Sequence, residues 1–381
     1  MKSLRDIVES SPHLRATAMH GLRLEEEPKP LGPALWDWTD VRSVLLIRLR
    51  SIGDTVLATP SLYALKRFLP HARIDILLED WVAPVLEGFP YIDNVLTLKR
   101  NSNVARARVM RQLRSLRYDV VYNLHGGTTA TLLTRASGAT RRVGLETYQY
   151  RRLYTHLAPS PLLLWKRAKT HSVEQQLALL GWTGVPVTDR PRTQLAVVEH
   201  AAASIAARLR AAGWNEQQPL ALIHPAAAFA TKQWATDRFA EVANHLYERG
   251  FAVVVITTPA ESELADWIEA LSLVPVIAFS DLSLPAVTAL ASRARIFVGN
   301  DSGIAHIAAA VELPAVVIFG SSNTSHWSPW ATAAAEVVFE ELECQPCHGY
   351  YCEKFAQPEC ILRVPSERVI AAVDRVLGQS T

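Results

Sequence analysis

Short runs of Val, Ile and Leu recur along the chain and alternate with amphipathic stretches, the pattern of β-α repeats. VRSVLLIR from Val41, ARIDILLE, NVLTLK and YDVVYNLHGG read as strands. Between them LRSIGD reads as a loop, and TVLATPSLYALKRFL, ended by Pro70, WVAPVLEGF and a basic stretch over about 103–117 read as helices. Strands that are apolar on both faces belong to a parallel sheet covered by helices on each side. A basic, poorly patterned stretch over 135–170 comes next, followed by a helix around His171 to Leu180. The segment GWTGVPVTDRPRT then predicts a domain linker.

A second series starts at PLALIHPAA. It runs through strands FAVVVITT, PVIAF, RIFVGN and PAVVIFG, with helices ATDRFAEVANHLYERG, ESELADWIEAL, SLPAVTALASRA and SGIAHIAAAVE between them. The pattern predicts an α/β chain of two doubly wound, Rossmann-like domains, 41–184 and 219–365, joined by 185–218, with ligand in the crevice between the strand C-termini. SERVIAAVDRVLG, within 366–381, is an amphipathic terminal helix suited to capping. Residues 1–40 lack apolar periodicity and hold Glu25-Glu26-Glu27 and several prolines, so a mobile extension is expected there.

Composition narrows the class. The 381 residues are 49% hydrophobic and 20% charged, which excludes disordered and coiled-coil chains. No apolar run approaches a membrane span, and the N-terminus has no signal-like apolar core, so a cytoplasmic location is expected. Charge is uneven. Between Lys99 and Lys169 there are 15 Lys or Arg and two acids, Asp119 and Glu146, whereas the whole chain carries 39 bases against 37 acids. One part of the protein is therefore expected to meet something anionic.

Three turns carry candidate chemistry. Ser51-Ile52-Gly53-Asp54-Thr55 falls where the first strand turns into a helix; Gly53 permits a tight turn, and Asp54 is either a helix N-cap or a general base facing the crevice. Gly299-Asn300-Asp301-Ser302-Gly303-Ile304-Ala305-His306 is again strand, turn and helix. Asp301 or Ser302 caps that helix, Gly303 lets a ligand approach the backbone, and the free amides favour a phosphate. Capping and a satisfied core histidine are the plainer account of the same residues. After the first strand of the second domain, His224 to Trp234 places Lys232 either as a point charge for a diphosphate or as a solvated lysine. Finally, Cys344-x2-Cys347-x4-Cys352-x7-Cys360, beside His348, has zinc-ligand types at a non-standard spacing; packed or redox-sensitive thiols are the alternative.

Taken together, LLIRLRSIGDTVLATPSLYALKRFLP, IDILLED, KQW, VGNDSGIAHIAAAVELPAVVIFG and the HW-x-PW stretch from His326 to Trp330 resemble glycosyltransferase family 9, over about residues 41 to 378. These are the ADP-heptose:lipopolysaccharide heptosyltransferases. The resemblance implies a GT-B fold whose first domain binds the acceptor and whose second binds the nucleotide sugar. It also implies that Asp54 is the base, that Lys232, Asp301, Ser302, Gly303 and His306 hold the ADP diphosphate, and that the anomeric centre is inverted by direct attack without metal or other cofactor. Gly53 and the basic residues Arg141, Arg142, Arg151, Arg152, Lys166, Arg167 and Lys169 fall where the family's acceptor loops lie. An anionic lipid-linked saccharide of the lipopolysaccharide core would be drawn there, as would the inner-membrane surface; no nucleic-acid partner is expected. One departure concerns Ala226, Ala227 and Ala228, where the family often has Gly and hydroxyl residues. Either backbone amides and Thr231 substitute, or donor binding is weakened or altered. The alternatives are a two-domain nucleotide-sugar epimerase and a non-catalytic saccharide- or nucleotide-binding protein.

Overall fold

The computed structural model describes residues 27–347 and 349–379. In the first domain six strands, β1 Ser43–Ile47, β2 Arg73–Glu79, β3 Asn94–Leu98, β4 Val120–Asn123, β5 Arg141–Leu145 and β6 His156–Ala158, form a parallel sheet in the order β3-β2-β1-β4-β5-β6. In the second, β7 Leu220–His224, β8 Ala252–Ile256, β9 Val276–Phe279, β10 Ala294–Asn300, β11 Ala315–Phe319 and β12 Ala335–Phe339 are ordered β12-β11-β10-β7-β8-β9. Counted from the first strand of each domain, both orders are the doubly wound 3-2-1-4-5-6. Strands β1, β7, β8 and β11 are buried along their whole length, as their near-continuous Val, Ile, Leu and Ala require, whereas the outer strands β3 and β12 are only partly covered.

Helices α1 Ile52–Val56, α2 Thr59–Phe68, α3 Asn103–Leu116, α4 Gly127–Ala136, α5 Pro161–Trp165 and α6 Ser172–Trp182 surround the first sheet. Around the second lie α7 Glu199–Ala211, α8 Thr236–Glu248, α9 Ser262–Leu271, α10 Leu284–Ala291, α11 Gly303–Ala310, α12 Thr324–Trp327, α13 Glu359–Leu362 and α14 Ser366–Gln379. No described helix is long and apolar enough to cross a membrane.

Four expectations change. SIGD is not a loop but the start of α1, and the single helix expected through Phe68 is broken into α1 and α2, with Pro60 in the first turn of α2. The poorly patterned 135–170 stretch contains β5 and β6, too short and too rich in Arg to show a strand period. The presumed linker 185–218 contains α7, which packs on α10 and so belongs to the second domain. Finally, residues 27–40 are packed against the first domain. The amides of Leu31 and Gly32 donate to Gly181 O at 2.9 and 3.0 Å, and the buried indole of Trp38 donates to Thr183 O at 3.1 Å. Aromatic anchors hold an irregular segment there without any helical or strand period. The rest of the expected extension, 1–26, lies outside the described residues. At the other end, α14 caps the second domain, packing on α8, β11 and β12.

Candidate functional site

In an open parallel sheet the crevice lies beyond the strand C-termini where the strand order reverses. Here the two reversal points are the β1/β4 and β7/β10 pairs. Asp54 follows β1, Leu124 and His125 follow β4, Lys232 follows β7, and Asp301 follows β10. The topology thus gathers residues from distant parts of the sequence at two facing edges.

At the first edge, Arg48 leaves the end of β1 and donates through Nη1 to Leu124 O at 2.6 Å, while its Nη2 forms an ion pair with Asp54 Oδ1. Asp54 Oδ2 accepts from Ser51 Oγ at 3.2 Å. Ser51 is the N-cap of α1, with its hydroxyl spent on Asp54 rather than on a helix amide. Asp54 is therefore not the cap. It stands in the first turn of α1, its side chain 19% exposed, with an arginine clamped between it and the neighbouring strand.

At the second edge, Asp301 is 6% exposed, and its Oδ2 accepts from Lys232 Nζ at 2.8 Å and from Ser322 Oγ at 2.5 Å. Lys232 sits in a short 3-10 turn, Ala230–Lys232, and its side chain retains 20% exposure. Asn300, fully buried at the end of β10, fixes that loop by donating to Pro225 O at 2.7 Å and accepting from Trp234 N at 3.2 Å. Ser302 is the N-cap of α11 but makes no capping bond; its hydroxyl lies 3.2 Å from His224 Nδ1. Burial lowers the pKa of His224 to about 4, so this imidazole is neutral.

The two edges touch where α1 meets α11. A Cβ on Gly53 would lie 2.6 Å from His306 Cδ2, and one on Gly303 would lie 2.8 Å from Ile52 Cβ. Gly53 and Gly303 therefore serve contact between the domains, with the backbone of α1 close to Gly303. His306 is buried in this contact, its Nδ1 without a partner, and burial lowers its pKa while Asp301 and Asp54 oppose the shift.

Other expected site residues lie elsewhere. Thr231 is 1% exposed; its hydroxyl donates to Gly349 O at 3.2 Å and accepts from Ser321 Oγ at 2.9 Å, so its side chain faces the cysteine segment. Arg141 and Arg142 begin β5 and so stand at the edge of the sheet opposite Asp54. Arg141 stacks over Trp36, and Arg142 Nε donates to Leu153 O at 2.9 Å, which draws the Arg151–Leu153 turn to the same far edge. In a parallel sheet the first residues of a strand cannot reach the crevice. None of the four arginines is brought to the candidate base.

Cys344, Cys347, Cys352 and Cys360 are free thiols lining one cavity of about 660 Å³. Among the described residues no three His, Cys, Asp or Glu side chains are grouped to hold a metal ion; His348 lies outside them. Burial pushes the Cys360 thiol up to about 11 and raises that of Cys347.

Sequence reading did not single out Arg48, although a basic residue one step past a crevice-facing strand was a usable signal. It also assigned no role to the HW-x-PW stretch. Trp330 stacks on His171 at 4.6 Å and donates to Pro191 O at 2.9 Å, and Thr193 Oγ1 donates to Trp330 O at 2.6 Å, so the stretch locks the interdomain connection.

The family model described as "Glycosyltransferase family 9 (heptosyltransferase)" matches residues 106–355. A curated relative, lipopolysaccharide heptosyltransferase 3 of Escherichia coli, is 28% identical over 348 residues, covering 87% of this chain and 98% of its own. Among solved structures, a glycosyl transferase family 9 protein from Veillonella parvula DSM 2008 superposes with a TM-score of 0.77 at 21% identity, covering 89% of this chain and 97% of its own. The E. coli ADP-heptose lps heptosyltransferase II does so with a TM-score of 0.72 at 22% identity, covering 89% and 99%. These likenesses show that the two sheets form the GT-B fold.

Proposed function

Because the chain belongs to glycosyltransferase family 9, we propose that it transfers a heptose from ADP-heptose to a lipid-linked saccharide of the lipopolysaccharide core. The observation that carries this reading is the facing of two sites across the α1–α11 contact: a carboxylate held at one strand edge, and a lysine beside a helix N-terminus at the other. The relative described above is named for heptosyl transfer, which favours that reaction over epimerisation.

On this reading the acceptor hydroxyl gives its proton to Asp54 as its oxygen bonds to the anomeric carbon, and the bond from that carbon to the diphosphate oxygen breaks on the opposite face. Configuration is inverted in that single displacement. ADP departs with the bonding pair, and Lys232 together with the free amides at the start of α11 supplies the positive field that stabilises it. An ammonium has three N–H groups, and the bond to Asp301 uses one. Asp301 is itself an anion and acts through Lys232 as a positioning residue instead of touching the phosphates. Protein cations supply the leaving-group stabilisation, so the rate is expected to survive chelation. The test is a proton NMR assay of purified protein with ADP-heptose of known anomeric configuration and deacylated core oligosaccharide, with and without EDTA. Inverted product at an EDTA-insensitive rate supports the reading; retained configuration or loss of turnover with EDTA refutes that mechanism.

A further inference from the structure

Between Thr147 and Val173 the chain has no acidic residue and five exposed cations, Arg151, Arg152, Lys166, Arg167 and Lys169. Strand β6, the outermost of the first sheet, runs through the middle of this segment. Its three residues span about 10 Å, so the Arg151–Leu153 turn before β6 and helix α5 after it stand at the two ends of one short rim.

Helix α5 presents its leucines to water. Pro161 is buried, and Trp165, four residues on and so on the same face, donates through Nε1 to Glu174 O at 2.7 Å. Leu162 and Leu163 point the other way, 41% and 69% exposed. This is not slack chain. Arg167 Nη1 donates to the buried Glu174 Oε1 at 2.7 Å, so the segment is pinned to α6 on both sides of Lys166. Two adjacent leucines held out in this way forgo the burial that a surface helix ordinarily gains from its apolar residues. Lys166 and Lys169 follow directly, and neither makes an ion pair among the described residues. At the other end of the rim Tyr150 is exposed beside Arg151 and Arg152.

Apolar tips projecting past a belt of cations, with a tyrosine at the margin, match the layers of a bilayer surface. Leucines enter the acyl boundary, cations meet the phosphates, and the tyrosine keeps its hydroxyl wet. A protein partner would need an apolar pocket rimmed with acids, whereas an anionic leaflet offers both chemistries over any area. Position favours the leaflet too. Helix α5 follows the C-terminal end of β6, on the crevice side, and Thr170 O lies 3.3 Å from His326 Nδ1 of the second domain. A leaflet held there stands at the mouth of the crevice.

We infer that the β6 rim, led by Leu162 and Leu163 and flanked by its five cations, rests on an anionic phospholipid leaflet. The inference rests on the transferase reading for its lipid-linked acceptor and goes beyond it in assigning the footing. It is tested by co-sedimentation of the full chain with vesicles of phosphatidylcholine containing phosphatidylglycerol, and of phosphatidylcholine alone. Wild type binds the anionic vesicles, is weakened by added salt and leaves the neutral ones in solution. Leu162→Ser/Leu163→Ser and Lys166→Glu/Lys169→Glu each lower partitioning about tenfold without lowering Tm, since all four side chains are exposed. The control is Arg108→Glu/Arg111→Glu on α3, an equal change of charge. That helix covers the sheet face of Leu45 and Ile47, whereas α6 covers the face of Val44 and Leu46. At physiological salt charges beyond about 8 Å are screened, so the control should stay within about twofold of wild type. In the transfer assay Leu162→Ser/Leu163→Ser slows reaction with vesicle-embedded acceptor about tenfold and leaves deacylated acceptor within about twofold. A wild type that ignores anionic vesicles, an α5 double variant that binds them as wild type does, or an α3 variant that loses as much overturns the inference. Vesicle binding is read without substrate, so a wild type that binds vesicles but transfers no heptose overturns the transferase reading alone.

Discussion

The Cβ that Gly53 lacks would stand 2.6 Å from Cδ2 of His306, so the helix bearing Asp54 and the helix facing the donor edge meet through a residue without a side chain. The contact joins one domain's candidate base to the other's phosphate-facing turn. Gly53→Ala must push the two helices apart or force His306 off its place. A loss of about 1–3 kcal/mol in stability is expected, the cost typical of overpacking, with a larger proportional fall in transfer rate because Asp54 moves with α1. Parallel melting and rate measurements check this. A variant with normal rate and Tm would show that the contact gives way freely.

Lys232→Ala is expected to weaken ADP binding by about 1.5–3 kcal/mol, a charge-assisted bond's share, read by calorimetry. It also strips the ammonium from a nearly buried carboxylate, so Tm falls although Ser322 still donates to Asp301. Asp301→Asn weakens ADP less, and the Lys232→Ala/Asp301→Asn pair costs little more than Lys232→Ala. Additive losses would instead give Asp301 its own contact with the nucleotide.

How much of this was legible beforehand differs between the two edges. The sheets, the strand-turn-helix positions of Asp54 and Asp301, and the family were readable because they rest on local patterns: apolar runs, a glycine turn and a helix start. The partners of those residues were not. Arg48 is anchored on Leu124 O only because β1 and β4 are neighbours, and Gln176 lines the crevice only because α6 turns a polar face inward. Charge counting found the basic segment but could not tell which edge of the sheet each arginine would occupy. Strand direction places Arg141 and Arg142 at one edge and Lys99 and Arg100, after the end of β3, at the other. The partner of the Thr231 hydroxyl was hidden for a similar reason, since its neighbour in space, Gly349, is over a hundred residues away in the chain.

Acid should destabilise the fold through its neutral histidines. Burial lowers the pKa of His171 to about 3 and of His224 to about 4. The unfolded chain takes up these protons near pH 6.5 and the folded chain only near 3–4, so between those values the unfolded state binds more protons and stability falls as pH falls. Two such sites steepen the loss by up to about 3 kcal/mol per pH unit. His171 also caps α6, its Nδ1 accepting from Val173 N, while its Nε2 donates to Ser328 O at 2.9 Å in the second domain, so protonation at Nδ1 removes the cap and leaves the interdomain bond in place. Urea unfolding at stepped pH between 7 and 4.5 measures the slope. His171→Gln should flatten it, and an unchanged slope would remove His171 from the effect.

At pH 7.5 Cys360 should resist alkylation in the folded protein, being buried with its thiol pushed up to about 11. Mass-mapped labelling with iodoacetamide checks this; prompt modification of Cys360 would mean that the cysteine cavity opens in solution.

The most direct measurement is acceptor-dependent release of ADP from ADP-heptose by wild type and Asp54→Asn, with heptosylated acceptor counted by mass spectrometry in the same samples. Wild type should release one ADP per heptosylated acceptor, and Asp54→Asn should bind ADP normally yet turn over roughly 10²-fold more slowly or worse. ADP release that ignores the acceptor, or an Asp54→Asn variant as fast as wild type, would contradict a transferase that works through Asp54.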